Sequence, residues 1–209
     1  MKRRAYFDAE PRYQKEAGPD WYRQNETVNQ ALREALGEYV TAKKNVMEVG
    51  CGGGWLAEHL LKTGVRAYSG FDYSETAVTR ARQRLEAFEE AKIWRGDALS
   101  PANYTKKYDC IVAHQFLQCL IGAHRAQWLA LCKQSLYAES VLVISTTVGL
   151  PAEHADGVDP VTKQNKLGNR YFASEEEVKA EILAAGFEVE EVLRPDGHHA
   201  IFVAGPKIN

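Results

Sequence analysis

From Asn45 onward, the chain alternates short runs rich in β-branched and aromatic residues with segments whose apolar residues recur at helical spacing. This alternation is typical of βαβ units, which build a parallel sheet covered by helices on both faces. A tight turn at Pro195-Asp196-Gly197 precedes the last run. We therefore expect an α/β protein with a doubly wound, seven-stranded sheet and a C-terminal antiparallel hairpin. The strands are predicted at residues 45–49, 66–71, 92–95, 108–113, 140–145, 188–193 and 200–204.

Helical patterns fill the connections between these strands. Ser74 is expected to cap one helix, and Ser174-Glu175-Glu176-Glu177 matches a capping box at the start of another. We expect a single domain of residues 1–209, in which a helical N-terminal extension, residues 1–42, precedes an α/β core, residues 43–205. The core helices are predicted at residues 55–62, 74–85, 123–136 and 174–185.

Composition narrows the class of function. The chain has 209 residues, the length of one domain, and its 26 Lys and Arg nearly balance its 28 Asp and Glu. Proteins that track nucleic-acid phosphates carry a basic excess, so we expect no nucleic-acid partner. The sequence has no apolar run of about 20 residues, and its first residues are charged, so we expect neither a membrane span nor a signal peptide. Its four cysteines have no CxxC spacing, so we expect a cytoplasmic protein with reduced thiols and no membrane association.

Four glycines stand within five positions directly after the first strand, in Gly50-Cys51-Gly52-Gly53-Gly54. Glycine permits positive φ angles and removes the Cβ that would keep a ligand at a distance. The segment therefore predicts a turn to which a ligand comes close. The dinucleotide fingerprint GxGxxG would require glycine where Trp55 stands, so a nucleotide-dependent oxidoreductase fits this turn less well.

Two acidic residues follow the next two strands. Asp72 lies 22 residues after Gly50, the position of the ribose-binding acid in doubly wound folds. Asp97 follows the third strand, where its carboxylate can accept a hydrogen bond from an adenine amino group. Either acid alone would more often be a helix cap or a turn residue. Together with the glycine turn they predict a nucleoside site at the carboxyl edge of the sheet.

Three segments, Glu48–Gly54, Asp72–Ser74 and Gly96–Ala98, resemble in order the first three motifs of the class I S-adenosylmethionine-dependent methyltransferases. The resemblance covers roughly residues 38–205 and implies a Rossmann-like fold with S-adenosylmethionine as cofactor and S-adenosylhomocysteine as product. It implies that Glu48 contacts the methionine end of the cofactor. The remaining cofactor residues that it implies are Gly50, Cys51, Gly52 and Gly54 through the glycine turn, Asp72 and Tyr73 at the ribose, and Asp97 and Ala98 beside the adenine.

His114 ends the fourth strand, and in open α/β sheets the reactive centre lies outside the carboxyl ends of the strands. His114 is therefore expected to contact the cofactor and to face the acceptor, either as a general base or by shaping the pocket. The family's DNA-methylating members carry an Asn/Asp-Pro-Pro-aromatic tetrad where this chain has His114-Gln115-Phe116-Leu117. Its catechol-type members place metal-binding acids where His114 and Thr146-Thr147 stand. We expect no metal.

Segments added to the core usually bind the substrate in this family. Aromatic rings near a sulfonium exclude water and attract the positive charge. We expect an aromatic lid from the N-terminal extension and a substrate loop at residues 149–171, which suit a small organic acceptor. Packing of these aromatics onto the core is the alternative. The expected substrate or lid residues are Trp21, Tyr22, Phe116 and Tyr171.

The sequence thus predicts SN2-type transfer of a methyl group from S-adenosylmethionine to a small molecule, by a monomer or homodimer. Three alternatives stay open: cyclisation or cleavage of S-adenosylmethionine itself, cofactor binding without catalysis, and a nucleotide-dependent oxidoreductase.

Overall fold

The computed structural model describes residues 25–40, 44–150, 157–159, 161–165 and 170–207. Trp21 and Tyr22, and with them the expected N-terminal lid, lie outside the described residues, as do residues 151–156, 160 and 166–169 of the loop at 149–171. The described part of the N-terminal extension is helical, as predicted. The helices are α1 (Glu26–Tyr39), α2 (Trp55–Lys62), α3 (Glu75–Arg84), α4 (Ala123–Gln134) and α5 (Glu175–Ala184).

Seven strands form one sheet, in the spatial order β3-β2-β1-β4-β5-β7-β6. The first five run parallel, and β7 is antiparallel to both β5 and β6. This confirms the Rossmann-like sheet with a C-terminal antiparallel hairpin. The strands are β1 (Asn45–Val49), β2 (Ala67–Asp72), β3 (Ala91–Arg95), β4 (Tyr108–His114), β5 (Leu136–Thr147), β6 (Phe187–Asp196) and β7 (His199–Pro206).

Helix ends agree with the local signals in the sequence. The Ser74 hydroxyl accepts a hydrogen bond from the amide of Ala77 at the start of α3. Ser174 and Glu177 form the expected capping box, in which each side chain accepts from the other residue's backbone N–H. Strand β5 begins four residues before the predicted start, and Tyr137, Ala138 and Glu139 are exposed there, so its first part has no alternating apolar signal.

The sheet is covered on both faces by apolar residues. Met47, Phe71 and Ile111 belong to the core on one face, and Val46, Tyr68 and Val112 belong to the core on the other. Helix α1 contributes Leu32 and Leu36 to the second core and lies against β5 and β6. No helix among the described residues is long and apolar enough to cross a membrane.

Asn25 fixes the start of α1 to the carboxyl edge of the sheet. Its side-chain oxygen accepts from the amide of Val28, and its side-chain nitrogen donates to Asp196 at 3.1 Å. Asp196 also contacts the imidazole of His199 at 2.9 Å. The N-terminal extension therefore joins the core beside the ends of β6 and β7.

Candidate active site

The glycine turn folds back over the end of β2. The amides of Gly50 and Cys51 both donate to the carbonyl of Phe71, at 2.9 and 3.0 Å. Gly50 has a φ of 74°, and a Cβ there would lie 2.9 Å from Cδ2 of Phe116. Gly54 has a φ of 79°, and its Cβ would lie 3.2 Å from Cα of Ala81. The backbone of the turn therefore lies directly against α3 and against the residues that follow β4.

Asp72 joins the glycine turn to the end of β2. One carboxylate oxygen accepts from the amide of Gly52 at 3.0 Å, and the other accepts from the amide of Ser74 at 2.9 Å. The backbone carbonyl of Asp72 accepts from Gly96, which precedes Asp97. A carboxylate offers about four lone-pair sites, so it can accept from several donors at once. The predicted ribose acid and glycine turn thus lie together.

Glu48 is 3% exposed and accepts a hydrogen bond from the hydroxyl of Tyr68. Gly70 lies opposite Glu48 in the β1–β2 ladder, and a Cβ there would lie 2.8 Å from the Tyr68 ring. The missing side chain thus makes room for the ring to reach Glu48. Burial raises the pKa of Glu48 to about 8, the Asp72 charge adds to the rise, and the Tyr68 hydrogen bond opposes it.

Sequence reasoning missed Tyr68 and Gly70, although both lie on β2. A glycine inside a strand often marks a close approach of another group, and this was the available signal. The i, i+2 spacing of Tyr68 and Gly70 puts them on the same face of the strand.

The Asp97–Ala98 segment is fixed by its neighbours. Asp97 accepts from the amide of Leu99 at 2.8 Å through its carboxylate and from Asn103 at 2.7 Å through its carbonyl. The hydroxyl of Tyr104 donates to the carbonyl of Ala98 at 2.9 Å. Asn103 ends a short 3-10 helix, Pro101–Asn103, which the sequence did not predict. The segment that would flank the adenine therefore has a defined shape.

Cys51 and Tyr73, two further predicted cofactor residues, lie at the same carboxyl edge of the sheet. Burial raises the pKa of the Cys51 thiol, which suits a backbone role and not a reactive thiolate. The guanidinium group of Arg95 lies 5.7 Å from the centre of the Tyr73 ring.

His114 ends β4 opposite Ser145 of β5. Burial lowers the pKa of its imidazole to about 4, and the charge of His199 lowers it further. The imidazole is therefore neutral at pH 7. Of the two histidines after the turn at Pro195-Asp196-Gly197, His198 is exposed, whereas His199 is half-buried, because the antiparallel return of β7 places it opposite Thr147.

Phe116 and Tyr171, both expected at the substrate, lie near the end of β4. The Phe116 ring lies against Gly50, and its centre is 5.4 Å from that of Trp128. The amide of Tyr171 donates to the carbonyl of Gln118 at 2.9 Å. Arg125, which sequence reasoning missed, lies 5.1 Å from the Tyr171 ring. The structure thus brings both aromatic residues to the region next to His114.

The described residues contain no group of three or more His, Cys, Asp or Glu side chains placed to hold a metal ion. The acidic loop residues Glu153, His154 and Asp156 lie outside the described residues. Asp159 is described, and its carboxylate accepts from the amides of Val161 and Thr162 as an ordinary turn residue does.

The strand order reverses between β1 and β4, and ligands of doubly wound sheets bind at this switch point. The glycine turn, Asp72 and His114 all lie there.

The fold is that of the Rossmann-like methyltransferases. Residues 47–142 match the model of a family described as a methyltransferase domain. In this match and in its fold, the chain is similar to the class I methyltransferases.

Solved structures share the fold over nearly the whole chain. The methyltransferase CcbJ from Streptomyces caelestis is 17% identical, with a TM-score of 0.73 over 97% of this chain and 100% of that one. DhpI, solved with S-adenosylhomocysteine, is 13% identical, with a TM-score of 0.75 over 96% and 94%. The 4+2 cyclase SpnF is 15% identical, with a TM-score of 0.73 over 87% and 82%. No curated protein sequence is a significant match to the chain.

Proposed function

We propose that this methyltransferase binds S-adenosylmethionine at the β1–β4 switch point and methylates a small organic acceptor. The observation that carries the proposal is the junction of the glycine turn with Asp72. There, a turn with positive φ at Gly50, Gly52 and Gly54 is held by the Asp72 carboxylate, a group whose oxygens can each accept more than one hydrogen bond.

The residues at this junction fit the cofactor. Asp72 would accept hydrogen bonds from the ribose hydroxyls, and the glycine backbone would pass along the methionine portion without steric hindrance. Glu48, buried beneath the turn and protonated near neutral pH, would ionise when the ammonium group of that portion binds beside it, because a nearby positive charge lowers the pKa of a carboxyl group. Asp97 and Ala98 would flank the adenine, and Tyr73, beside Asp72, would contact the nucleoside.

S-adenosylmethionine supplies a methyl group on a positively charged sulfur, and SN2-type displacement of that sulfur needs alignment of the acceptor more than proton transfer. His114 suits this requirement as a pocket-shaping residue. Its imidazole has a pKa of about 4, which makes it a weak base at neutral pH. Phe116 and Tyr171 would exclude water from the same space.

A small acceptor is supported by the charge of the chain and by the aromatic residues expected around the site. Asn25 attaches the start of α1 beside His199 and Asp196 at the carboxyl edge of the sheet. Trp21 and Tyr22, the expected lid, lie outside the described residues, and their role stays a prediction. The near-neutral net charge of −2 argues against a nucleic-acid acceptor. We propose a cytoplasmic enzyme that acts as a monomer or homodimer and needs no metal.

The alternative is a reaction other than methyl transfer at the same site. The likeness to SpnF, which is a cyclase, favours this second candidate over an oxidoreductase.

Calorimetric titration with S-adenosylhomocysteine tests the binding site, with two variants of the same turn. Gly52 has a φ of 52°, so Gly52→Val introduces a β-branched residue into a strained conformation beside the ligand. Gly53→Ala is the matched control, because a Cβ at Gly53 meets nothing within 4 Å. We expect binding to the wild type and to Gly53→Ala, and none to Gly52→Val. Normal binding by Gly52→Val would exclude the turn as the cofactor site.

Product analysis then separates the reactions. The protein is incubated with S-adenosylmethionine and an extract of small metabolites, and the products are identified by mass spectrometry. S-adenosylhomocysteine with a methylated product supports the proposal. Methylthioadenosine, or turnover of the acceptor without consumption of S-adenosylmethionine, supports the alternative.

A further inference from the structure

We propose that the side-chain amide of Gln115 recognises the methyl acceptor by donating a hydrogen bond to an oxygen atom of it. The inference rests on the proposed function and names the chemistry of the acceptor: a neutral molecule with a carbonyl, hydroxyl or phenolic oxygen.

The backbone of Gln115 has an unusual conformation. Its φ is 52°, in the left-handed region that residues other than glycine rarely adopt. The amide of Gln115 still donates to the carbonyl of Ser145 at 2.7 Å, so the residue is held against the end of β5. Strained residues of this kind persist where the surrounding structure fixes them, and they cluster at ligand sites. The conformation turns the chain directly after His114.

A hydrogen-bond chain fixes which way the Gln115 amide points. The hydroxyl of Thr146 donates to the side-chain oxygen of Gln118 at 2.8 Å. The side-chain nitrogen of Gln118 then donates to the side-chain oxygen of Gln115 at 2.8 Å. The hydroxyl of Thr147 donates to that same oxygen at 3.3 Å. Both lone pairs of the Gln115 oxygen are thus occupied, and its NH₂ group must face away from these donors.

That NH₂ group is buried, and its nitrogen has no hydrogen-bond partner within the described part of the chain. The large majority of buried polar groups in proteins are paired, because an unpaired donor loses the hydrogen bonds that water gave it. Ser145, which pairs with His114 in the ladder, likewise has a buried hydroxyl with no partner among those residues. Two unpaired polar groups at the ends of β4 and β5 indicate that a ligand completes this site.

The surrounding charges select a neutral ligand. Burial keeps the adjacent His114 imidazole uncharged at neutral pH. The buried guanidinium group of Arg125 donates to both carboxylate oxygens of Glu181 and to the carbonyl of Leu117. It is therefore not available to a ligand carboxylate. The amide is a neutral donor and matches a neutral oxygen. Gln115 also lies one residue before Phe116, whose ring contacts Gly50, so it lies beside the cofactor turn.

The test measures ligand binding by saturation-transfer NMR on the complex of the full chain with S-adenosylhomocysteine. The probes are phenol and acetophenone, with toluene as the apolar control and benzylamine as the cationic control. We expect the wild type to bind phenol at least tenfold more tightly than toluene. Gln115→Leu should abolish that preference. Gln115→Glu keeps the accepting oxygen but replaces the donor with a negative charge, and should shift the preference to benzylamine.

Both variants should bind S-adenosylhomocysteine with the affinity of the wild type, since Gln115 is not part of the cofactor turn. A wild type that does not bind S-adenosylhomocysteine contradicts the proposed function, whatever the probes do. A wild type that binds it but shows no preference for phenol or acetophenone over toluene contradicts the role of Gln115 alone. So does an unchanged preference in Gln115→Glu, which serves as the test if Gln115→Leu does not fold.

Discussion

The guanidinium group of Arg84 lies over the indole of Trp55, with Cζ 3.3 Å from the ring centre. The same group donates to the carbonyl of Gly53 at 2.8 Å and to Glu58 at 3.2 Å. Arg84 ends α3 and Trp55 begins α2, so the contact joins two helices across the glycine turn. Trp55, which stands where the dinucleotide fingerprint requires glycine, thus packs against the Arg84 guanidinium group. Arg84 in turn restrains the glycine turn through its hydrogen bond to the Gly53 carbonyl.

We predict that Arg84→Ala lowers the free energy of unfolding by about 1–2 kcal/mol, because both the cation–π contact and a charge-assisted hydrogen bond are lost. Binding of S-adenosylhomocysteine should weaken several-fold, since Gly53 loses its restraint. Urea denaturation and calorimetry measure the two effects. Lys62→Ala is the control: Lys62 also pairs with Glu58 but is 63% exposed, so its removal should change little. Equal effects of the two variants would contradict the role of Arg84.

A second prediction separates binding from stability at Asp72. Asp72→Ala removes the acceptor of the Gly52 and Ser74 amides as well as the proposed ribose contact. It should weaken S-adenosylhomocysteine binding by about 1.5–3 kcal/mol. Ser74→Ala removes the cap of α3 and should cost about 1 kcal/mol of stability, with little effect on affinity. If Ser74→Ala weakens binding as much as Asp72→Ala, Asp72 acts only through the local fold.

Local signals predicted the elements of this fold more accurately than its contacts. The bounds of α2 follow from the glycines before Trp55 and from Gly64 after it, and the capping box of α5 lies within four residues. The Glu48–Tyr68 bond and the Arg84–Gly53 bond join residues 20 and 31 positions apart. They depend on strand register and helix packing, which single residues do not specify. The half-burial of His199 likewise depends on how β7 pairs with β5.

The third prediction concerns Glu48, whose pKa is raised to about 8 from an ordinary value of 4.5. The folded state holds its proton more tightly than the unfolded state does. The stability contributed by the protonated form is therefore complete below pH 4.5 and is lost as the pH rises toward 8. Glu48→Gln, which cannot ionise, should escape this loss and exceed the wild type by an amount on the order of a few kcal/mol at pH 8.

Urea denaturation of Glu48→Gln and wild type at pH 5, 7 and 9 measures the difference. The gap between the two proteins should widen from pH 5 to pH 7 and level off above pH 8. Tyr68→Phe is the companion variant, since it removes the hydrogen bond that opposes the rise and leaves the carboxyl group in place. It should increase the pH dependence. A gap that does not change with pH would show that Glu48 is ionised throughout in the folded protein.

The fourth prediction concerns His114, whose effect on the pH dependence of stability is opposite to that of Glu48. The pKa of His114 is lowered to about 4 from an ordinary value of 6.5, so protons bind the unfolded state more readily. The stability that the neutral His114 imidazole contributes is therefore complete above pH 6.5. It is lost as the pH falls toward 4, by up to about 3 kcal/mol. His114→Gln should retain stability over this range, whereas His198→Gln, at an exposed site, should follow the wild type. Because the terms of His114 and Glu48 oppose each other between pH 4.5 and 6.5, the wild type alone reveals neither. Denaturation of each variant and the wild type at pH 4.5, 5.5 and 6.5 isolates the contribution of His114 to the pH dependence. Parallel stability curves for His114→Gln and the wild type would contradict the prediction. They would mean that the imidazole is protonated as easily in the folded as in the unfolded chain.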